Sequence, residues 1–223
     1  MTRVEAIEQQ SNELFRLLLL EDEQPLRESL ARLIAPELPG TTIIQAGTII
    51  EALDCIDQGP IPTLGVLDIR VPMKPRCNDD SNPEVAKRLR ELGVPCIFMT
   101  GYRKSDDVEK FLESHYLTSP NVIVIEKILK EGYLTSAIIR HAKQLFTELA
   151  SKKVRAAVHQ LFEDGNIGSH STTAGWIQAE RLIRAYWDYL NKETRDLVRK
   201  WVVVESPGPG KLTFHLFDRK GNS

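Results

Sequence analysis

Three cysteines in 223 residues (Cys55, Cys77 and Cys96) are widely spaced and form no C-x-x-C pair. That spacing excludes a disulfide framework or a common zinc motif and suits free thiols in a reducing compartment. Charge of one sign is also lacking: 29 Lys/Arg against 31 Asp/Glu leave a net −2, so no global basic field points to nucleic acid. Long hydrophobic runs are missing. Leu17–Leu20 is as long an apolar run as the chain contains, far too short to cross a bilayer. Met1–Arg16 mixes acids with bases around no apolar stretch, so it does not read as a signal peptide. The expectation is a cytoplasmic protein with no membrane partner. Glycine and proline are absent between Tyr133 and Asp164, which predicts uninterrupted helix over much of that span.

What is present is ordinary globular composition, 42% hydrophobic and 27% charged, enough for one typical domain and a smaller module. The charge is uneven along the chain. Residues 151–223 carry 12 Lys/Arg against 8 Asp/Glu, and residues 1–150 carry 17 against 23. One domain is expected at 14–147 and a C-terminal module at 151–223.

The first domain alternates between two periodicities. Short apolar or β-branched runs at Phe15–Leu20, Thr41–Ala46, Leu64–Leu67, Cys96–Met99 and Asn121–Ile125 predict five strands buried on both faces. Between them, helical spacing is read over Gln24–Ile34, over Ile49–Ile56 up to Gly59-Pro60, and from Asn82-Pro83-Glu84 to Leu92 before Gly93. Further helices are read from Ser105 towards Ser114 and from Tyr133 onward. Strictly alternating strands and helices predict an α/β fold, a flavodoxin-like, doubly wound five-stranded parallel sheet.

In such sheets ligands sit beyond the carboxyl ends of the strands. Those ends carry Glu21 and Asp22, Asp68, Thr100, and Lys127. Three converging carboxylates form a hard oxygen site suited to Mg2+. Beside a divalent cation, Asp68 is a candidate carboxylate nucleophile towards a phosphoryl donor, with Thr100 and Lys127 offering a hydroxyl and an ammonium to the phosphoryl oxygens.

With those residues in place, the stretches LLLLEDEQPLRESL, VLDIRVPM, EVAKRLRELGVPCIFMTGY and VIVIEK resemble the receiver domain of two-component response regulators over residues 14–145. The resemblance implies that Asp68 is the phosphoacceptor, Thr100 the switch hydroxyl and Lys127 the phosphate partner. It implies Mg2+ on Glu21, Asp22, Asp68 and the Arg70 backbone carbonyl, and a partner histidine kinase or phosphotransfer protein. It also implies a signalling role rather than an enzymatic one.

The chain departs from that pattern at three places. Ile128 follows the lysine where the family has proline, Val124 stands at the usual aromatic switch position with Tyr102 as a candidate substitute, and the loop from Val71 to Ser81 is long. Haloacid-dehalogenase-type phosphatases also use Asp, Thr, Lys and Mg2+, but their nucleophile lies on the first strand, not the third.

Past Tyr133 the apolar positions Ile138, Ala142, Leu145 and Leu149 are followed one residue late by Val154, Val158 and Leu161. That slip at Ser151-Lys152-Lys153 reads as a stutter or as a helix break. An extended helix is a candidate dimer coiled coil; two separately packed helices are the alternative. A Gly/Ser/Thr/Asn loop (Gly165–Gly175) precedes a helix over Thr173–Leu190, an Asn191-capped helix over Glu193–Lys200, and two strands, Trp201–Glu205 and Lys211–Phe217, around Ser206–Gly210.

Two outputs compete for this mostly helical module. One is homodimerisation or protein docking, with Trp176, Tyr186, Trp187 and Trp201 as core or interface. The other is DNA binding through a winged-helix-like arrangement with Arg195, Arg199 and Lys200 on the reading helix. His159, His170 and His215 have no metal-ligand spacing.

Overall fold

The computed structural model describes residues 14–72, 83–101, 122–127, 132–162, 171–200, 202–208 and 211–216. Cys77, most of the Val71–Ser81 loop, the Asn82 cap, Tyr102, the helix expected from Ser105, Ile128, His170, Trp201 and most of the Gly165–Gly175 loop lie outside them, as do the side chains of Trp176 and His215. The chain divides into two compact units, residues 1–142 and 143–223.

In the first unit β1 (Phe15–Leu20), β2 (Thr41–Ala46), β3 (Leu64–Asp68), β4 (Cys96–Thr100) and β5 (Val122–Glu126) form one parallel sheet in the order β2-β1-β3-β4-β5. This is the flavodoxin-like order. Strand composition follows position in the sheet. β3 and β4 are buried at every residue, and β1 at all but Arg16, as strands covered on both faces require. The edge strand β2 buries only Ala46 fully and exposes Thr42 and Gln45. Each of Leu17, Leu18, Leu19 and Leu20 is fully buried, worth roughly 2 kcal/mol apiece.

The helices between strands begin and end on local chemistry. α1 (Gln24–Ile34) starts with Pro25, whose missing N–H costs nothing in a first turn. α2 (Ile49–Gln58) is capped by Thr48, whose hydroxyl accepts the Glu51 N–H at 3.2 Å, while the Glu51 carboxylate reaches back to the Gly47 N–H at 2.7 Å. That is a capping box displaced by one residue. α3 (Pro83–Glu91) is followed by Gly93 at φ 72°, a left-handed conformation that favours glycine. Gly65 on β3 lets that helix approach closely, since an added Cβ would stand 2.6 Å from Leu89 Cδ1.

α4 (Tyr133–Phe162) is one continuous helix, so the break considered at residues 151–153 is not there. Its most deeply buried apolar positions, Ile138, Ala142, Phe146, Ala150, Val154 and Val158, keep an unbroken spacing of four. Leu145 and Leu149, the larger residues that suggested a slip, are only half-buried. The smaller Ala150 takes the core position, and the element packed on this face of the helix follows in sequence.

That element is α5 (Ser171–Tyr186), which continues as a 3-10 turn (Trp187–Tyr189). The expected helix over Thr173–Leu190 thus tightens at its end. α5 runs antiparallel to the later part of α4. Gly175 faces Leu161, the Lys153 ammonium donates to the Tyr186 hydroxyl at 3.0 Å, and Phe146 meets Tyr189 edge-to-face at 6.0 Å. α6 (Lys192–Arg199) is capped by Asn191, whose side-chain oxygen accepts the Thr194 N–H at 2.9 Å. The Asn191 N–H in turn donates to the buried Ser151 hydroxyl at 3.0 Å. Ser151 therefore ties two helices together rather than interrupting one. β6 (Val202–Gly208) and β7 (Lys211–Leu216) pair antiparallel, with a register shift between Glu205 and Gly208. Among the described residues no helix is long and apolar enough to cross a membrane.

Candidate functional site

β1 and β3 are neighbours in the sheet, and successive crossovers leave β1 in opposite directions, so their carboxyl ends flank the topological switch point. That geometry alone brings Glu21 and Asp22, just past β1, beside Asp68, the last residue of β3. Their carboxylate oxygens lie within 4.8 Å of one another.

Main-chain bonds extend the sheet by one residue at each of these ends. The Glu21 N–H donates to Ala46 O at 3.1 Å, the Ile69 N–H to Met99 O at 3.1 Å and the Lys127 N–H to Thr100 O at 2.7 Å. The last of these brings Lys127 alongside the carboxyl end of β4. Thr100, 3% exposed, is buried there.

The charges are arranged around Lys127. Its Nζ donates to Asp68 Oδ2 at 2.7 Å and stands 2.7 Å from Glu21 Oε2. The second approach is an ion pair to a buried oxygen. Glu21 Oε1 accepts the Glu23 N–H at 3.4 Å. Glu21 is wholly buried and Asp68 6% exposed, whereas Asp22 is exposed.

Burial and the neighbouring Asp68 charge push the Glu21 carboxyl up to about 7, against the pull of Lys127. Burial also raises Asp68 above the usual carboxylate range, opposed by the Lys127 charge and by the Arg70 backbone N–H that donates to it. For Lys127, burial acts to lower the pKa, but the charges and hydrogen bonds of Asp68 and Glu21 outweigh it and hold the ammonium above its ordinary value.

Three carboxylates and one ammonium leave a charge of −2 in a partly dry site. A divalent cation would cancel it, held by the three carboxylates whose oxygens already lie within 4.8 Å of one another. Octahedral Mg2+ with oxygens at about 2.1 Å spans about 4.2 Å between opposite ligands, so the acids need close only slightly. The donor set therefore fits Mg2+.

The structure thus brings Glu21, Asp22, Asp68 and Lys127 together, with Thr100 at the adjoining strand end. Arg70 meets Asp68 through its N–H. Val124, at the position where an aromatic switch residue was expected, is half-buried and packs against the sheet core. Cys96 is buried, its thiol pushed up to about 12, so it is a core residue rather than a nucleophile. Two features had no signal in the sequence. One is the salt bridge of Lys127 to Glu21 as well as Asp68. The other is Arg27, whose guanidinium Nη1 donates to the Glu21 carbonyl.

No protein-family profile matches the chain, and no curated protein does. Among the solved structures to which it is similar are response regulators and their receiver domains. The receiver domain protein of Methanospirillum hungatei JF-1 is 22% identical, with 60% of this chain and 98% of that one covered and a TM-score of 0.45. The receiver protein of Sinorhizobium medicae WSM419 is 21% identical, with 59% and 93% covered and a TM-score of 0.46. A DNA-binding response regulator of the LuxR family from Staphylococcus aureus is 17% identical, with 59% and 98% covered and a TM-score of 0.45.

Proposed function

We propose that this chain is a response regulator of a two-component phosphorelay and that Asp68 is its phosphoacceptor. The observation that carries the reading is the Lys127 ammonium held 2.7 Å from both Asp68 Oδ2 and Glu21 Oε2 at the switch point of the sheet. An Asp68 oxygen attacks the phosphorus of a phosphohistidine on a partner kinase or phosphotransfer protein. The new O–P bond replaces the P–N bond, and the imidazole leaves. Mg2+ on Glu21, Asp22, Asp68 and the Arg70 carbonyl would supply charge neutralisation for the phosphoryl oxygens. Lys127 then exchanges a carboxylate for a phosphoryl oxygen, and the Thr100 hydroxyl donates to another.

The output we favour is docking of a protein partner, or dimerisation, by the C-terminal module. Of the three cations that favoured DNA, Arg195 is tied to its own module and Arg199 lies over the same ring, while Arg199 and Lys200 are exposed. Arg195 donates to the Trp187 and Asp188 carbonyls, and the Arg195 and Arg199 guanidinia lie 5.6 and 5.8 Å from the Trp187 ring centroid.

The test is incubation with acetyl phosphate and Mg2+ followed by intact-mass measurement. The expected result is one phosphoryl group on the wild-type chain, dependent on Mg2+, and none on Asp68→Ala. Equal labelling of Asp68→Ala would overturn the assignment.

A further inference from the structure

The first acid of the site can act only if its backbone is fixed, and that backbone lies beyond the last residue of β1. Two of its tethers are ordinary. The Glu21 N–H continues the ladder to Ala46, and the Glu21 side chain accepts the Glu23 N–H. The third comes from a helix. Arg27 lies one turn into α1 and half-buried, and its Nη1 donates to the Glu21 carbonyl.

The guanidinium that makes this bond rests in a space kept by a glycine on a neighbouring loop. A Cβ on Gly47 would stand 2.7 Å from Arg27 Nη1, 3.2 Å from its guanidinium carbon and 3.4 Å from Nη2. Gly47 has no left-handed φ to require glycine, so the constraint there is room. The Gly47 N–H is itself held by the Glu51 carboxylate in the α2 cap. The chain therefore joins the ends of β1 and β2 through one arginine seated against one glycine.

We infer that Arg27, seated on Gly47, is a positioning residue that clamps the Glu21 main chain and so sets the Mg2+ affinity of the acid pair. This rests on the Mg2+ site of the proposed function. The bond that Arg27 makes is to the Glu21 main chain rather than to a carboxylate of the cluster. Its positive charge near the site would by itself repel a cation, so a clamp and a bare charge act with opposite sign. Removing the side chain weakens Mg2+ binding if the clamp dominates and tightens it if only the charge matters.

Gly47→Ala separates the two. The methyl displaces the far end of a flexible side chain, which costs the fold little, and leaves every charge in place.

The experiment is calorimetric titration of full-length protein with Mg2+ for wild type, Arg27→Gln, Gly47→Ala and the double variant. Amide hydrogen exchange at Glu21 and Glu23 is measured alongside without metal. Each single variant should bind Mg2+ about tenfold more weakly, the scale of an outer-shell partner. The double variant should be no weaker than the worse single within about twofold, since both changes break one contact. Exchange at both amides should quicken in each variant without any metal present. Unchanged or tighter Mg2+ binding in both singles, or fully additive losses in the double, overturns the clamp. Wild type that binds no Mg2+ overturns the clamp and the proposed site together. Mg2+ binding with the expected variant pattern but no phosphoryl uptake overturns the phosphoacceptor reading and leaves the clamp standing.

Discussion

Both units of this protein hold cations against their own interior, and they do so to opposite effect. In residues 143–223, Lys153 lies against Tyr186 by ring and hydroxyl, and Arg195 and Arg199 lie over Trp187 with Arg195 also bonded to two carbonyls. There Lys153 and Arg195 meet neutral partners, Arg199 also pairs with the exposed Asp196 at 3.5 Å, and no acid is buried with them among the described residues. At the strand ends of residues 1–142 a single ammonium is shared by two buried carboxylates with a third acid beside them. That region keeps uncompensated charge in a dry place, at a cost in stability that only a further cation relieves. Closed electrostatics mark scaffold, and open electrostatics mark a site.

The sharpest way to break this contrast is to damage the closed region and watch the open one. Phe146 is fully buried edge-to-face with Tyr189, and Phe146→Ala should cost about 4 kcal/mol of stability in its unit. Trp176, Trp187 and Trp201 all belong to residues 143–223, so tryptophan fluorescence in a urea titration reads that unit alone. Phosphoryl uptake at Asp68 should be unchanged.

The second test uses pH. Glu21 keeps its proton in the folded state up to about 7, against 4.5 for the free group. Between those values the folded chain holds a proton that the unfolded chain has lost, so stability falls as pH rises through the window and levels off above it. At about 1.4 kcal/mol per pH unit the metal-free protein should lose up to about 3 kcal/mol across it. Hydrogen-exchange protection of β1 and β3 amides measures this. Glu21→Gln should make the profile shallower, leaving the part that the raised Asp68 contributes, and saturating Mg2+ should restore stability above pH 7 because the ion binds the ionised form. A profile unaltered by Glu21→Gln would show that the open charge lies elsewhere.

The smallest expected effect sharpens the closed side. Asn191 caps α6 while its N–H holds Ser151. Asn191→Ala should cost about 1 kcal/mol in the same fluorescence titration and leave the pH profile of the first unit untouched.

Much of the first unit was legible because a parallel sheet writes itself plainly. Strands covered on both faces must be apolar throughout, so FRLLLL, LGVL and CIFM stand out, and the first polar residue after each marks a strand end. The candidate acids, Thr100 and Lys127 followed from that pattern. α4 was harder to read. Reading by size chose Leu145 and Leu149 and so inferred a slip, whereas the packed positions are Phe146 and Ala150. Which of two adjacent apolar stripes faces the core depends on the element packed against the helix, and that is not written in one helix's own pattern. The division after Ala142 falls inside that helix, where no glycine, proline or change of composition signals it. Likewise Arg195 read as part of an exposed basic face, yet it bonds to the Trp187 and Asp188 carbonyls, while Arg199 stays exposed.

By itself, then, the sequence determined which segments are strands, the alternation that makes them parallel, and which residue types end each strand, because periodicity and burial are local consequences of covalent order. The tertiary structure alone decided the partners. That Lys127 serves Glu21 as well as Asp68, that Arg27 spends its guanidinium on a carbonyl against Gly47, and that Arg195 turns inward are matters of distance between residues far apart in the chain. Electrostatic and steric terms depend on separation in space, and that is set only when the sheet order and helix packing are complete.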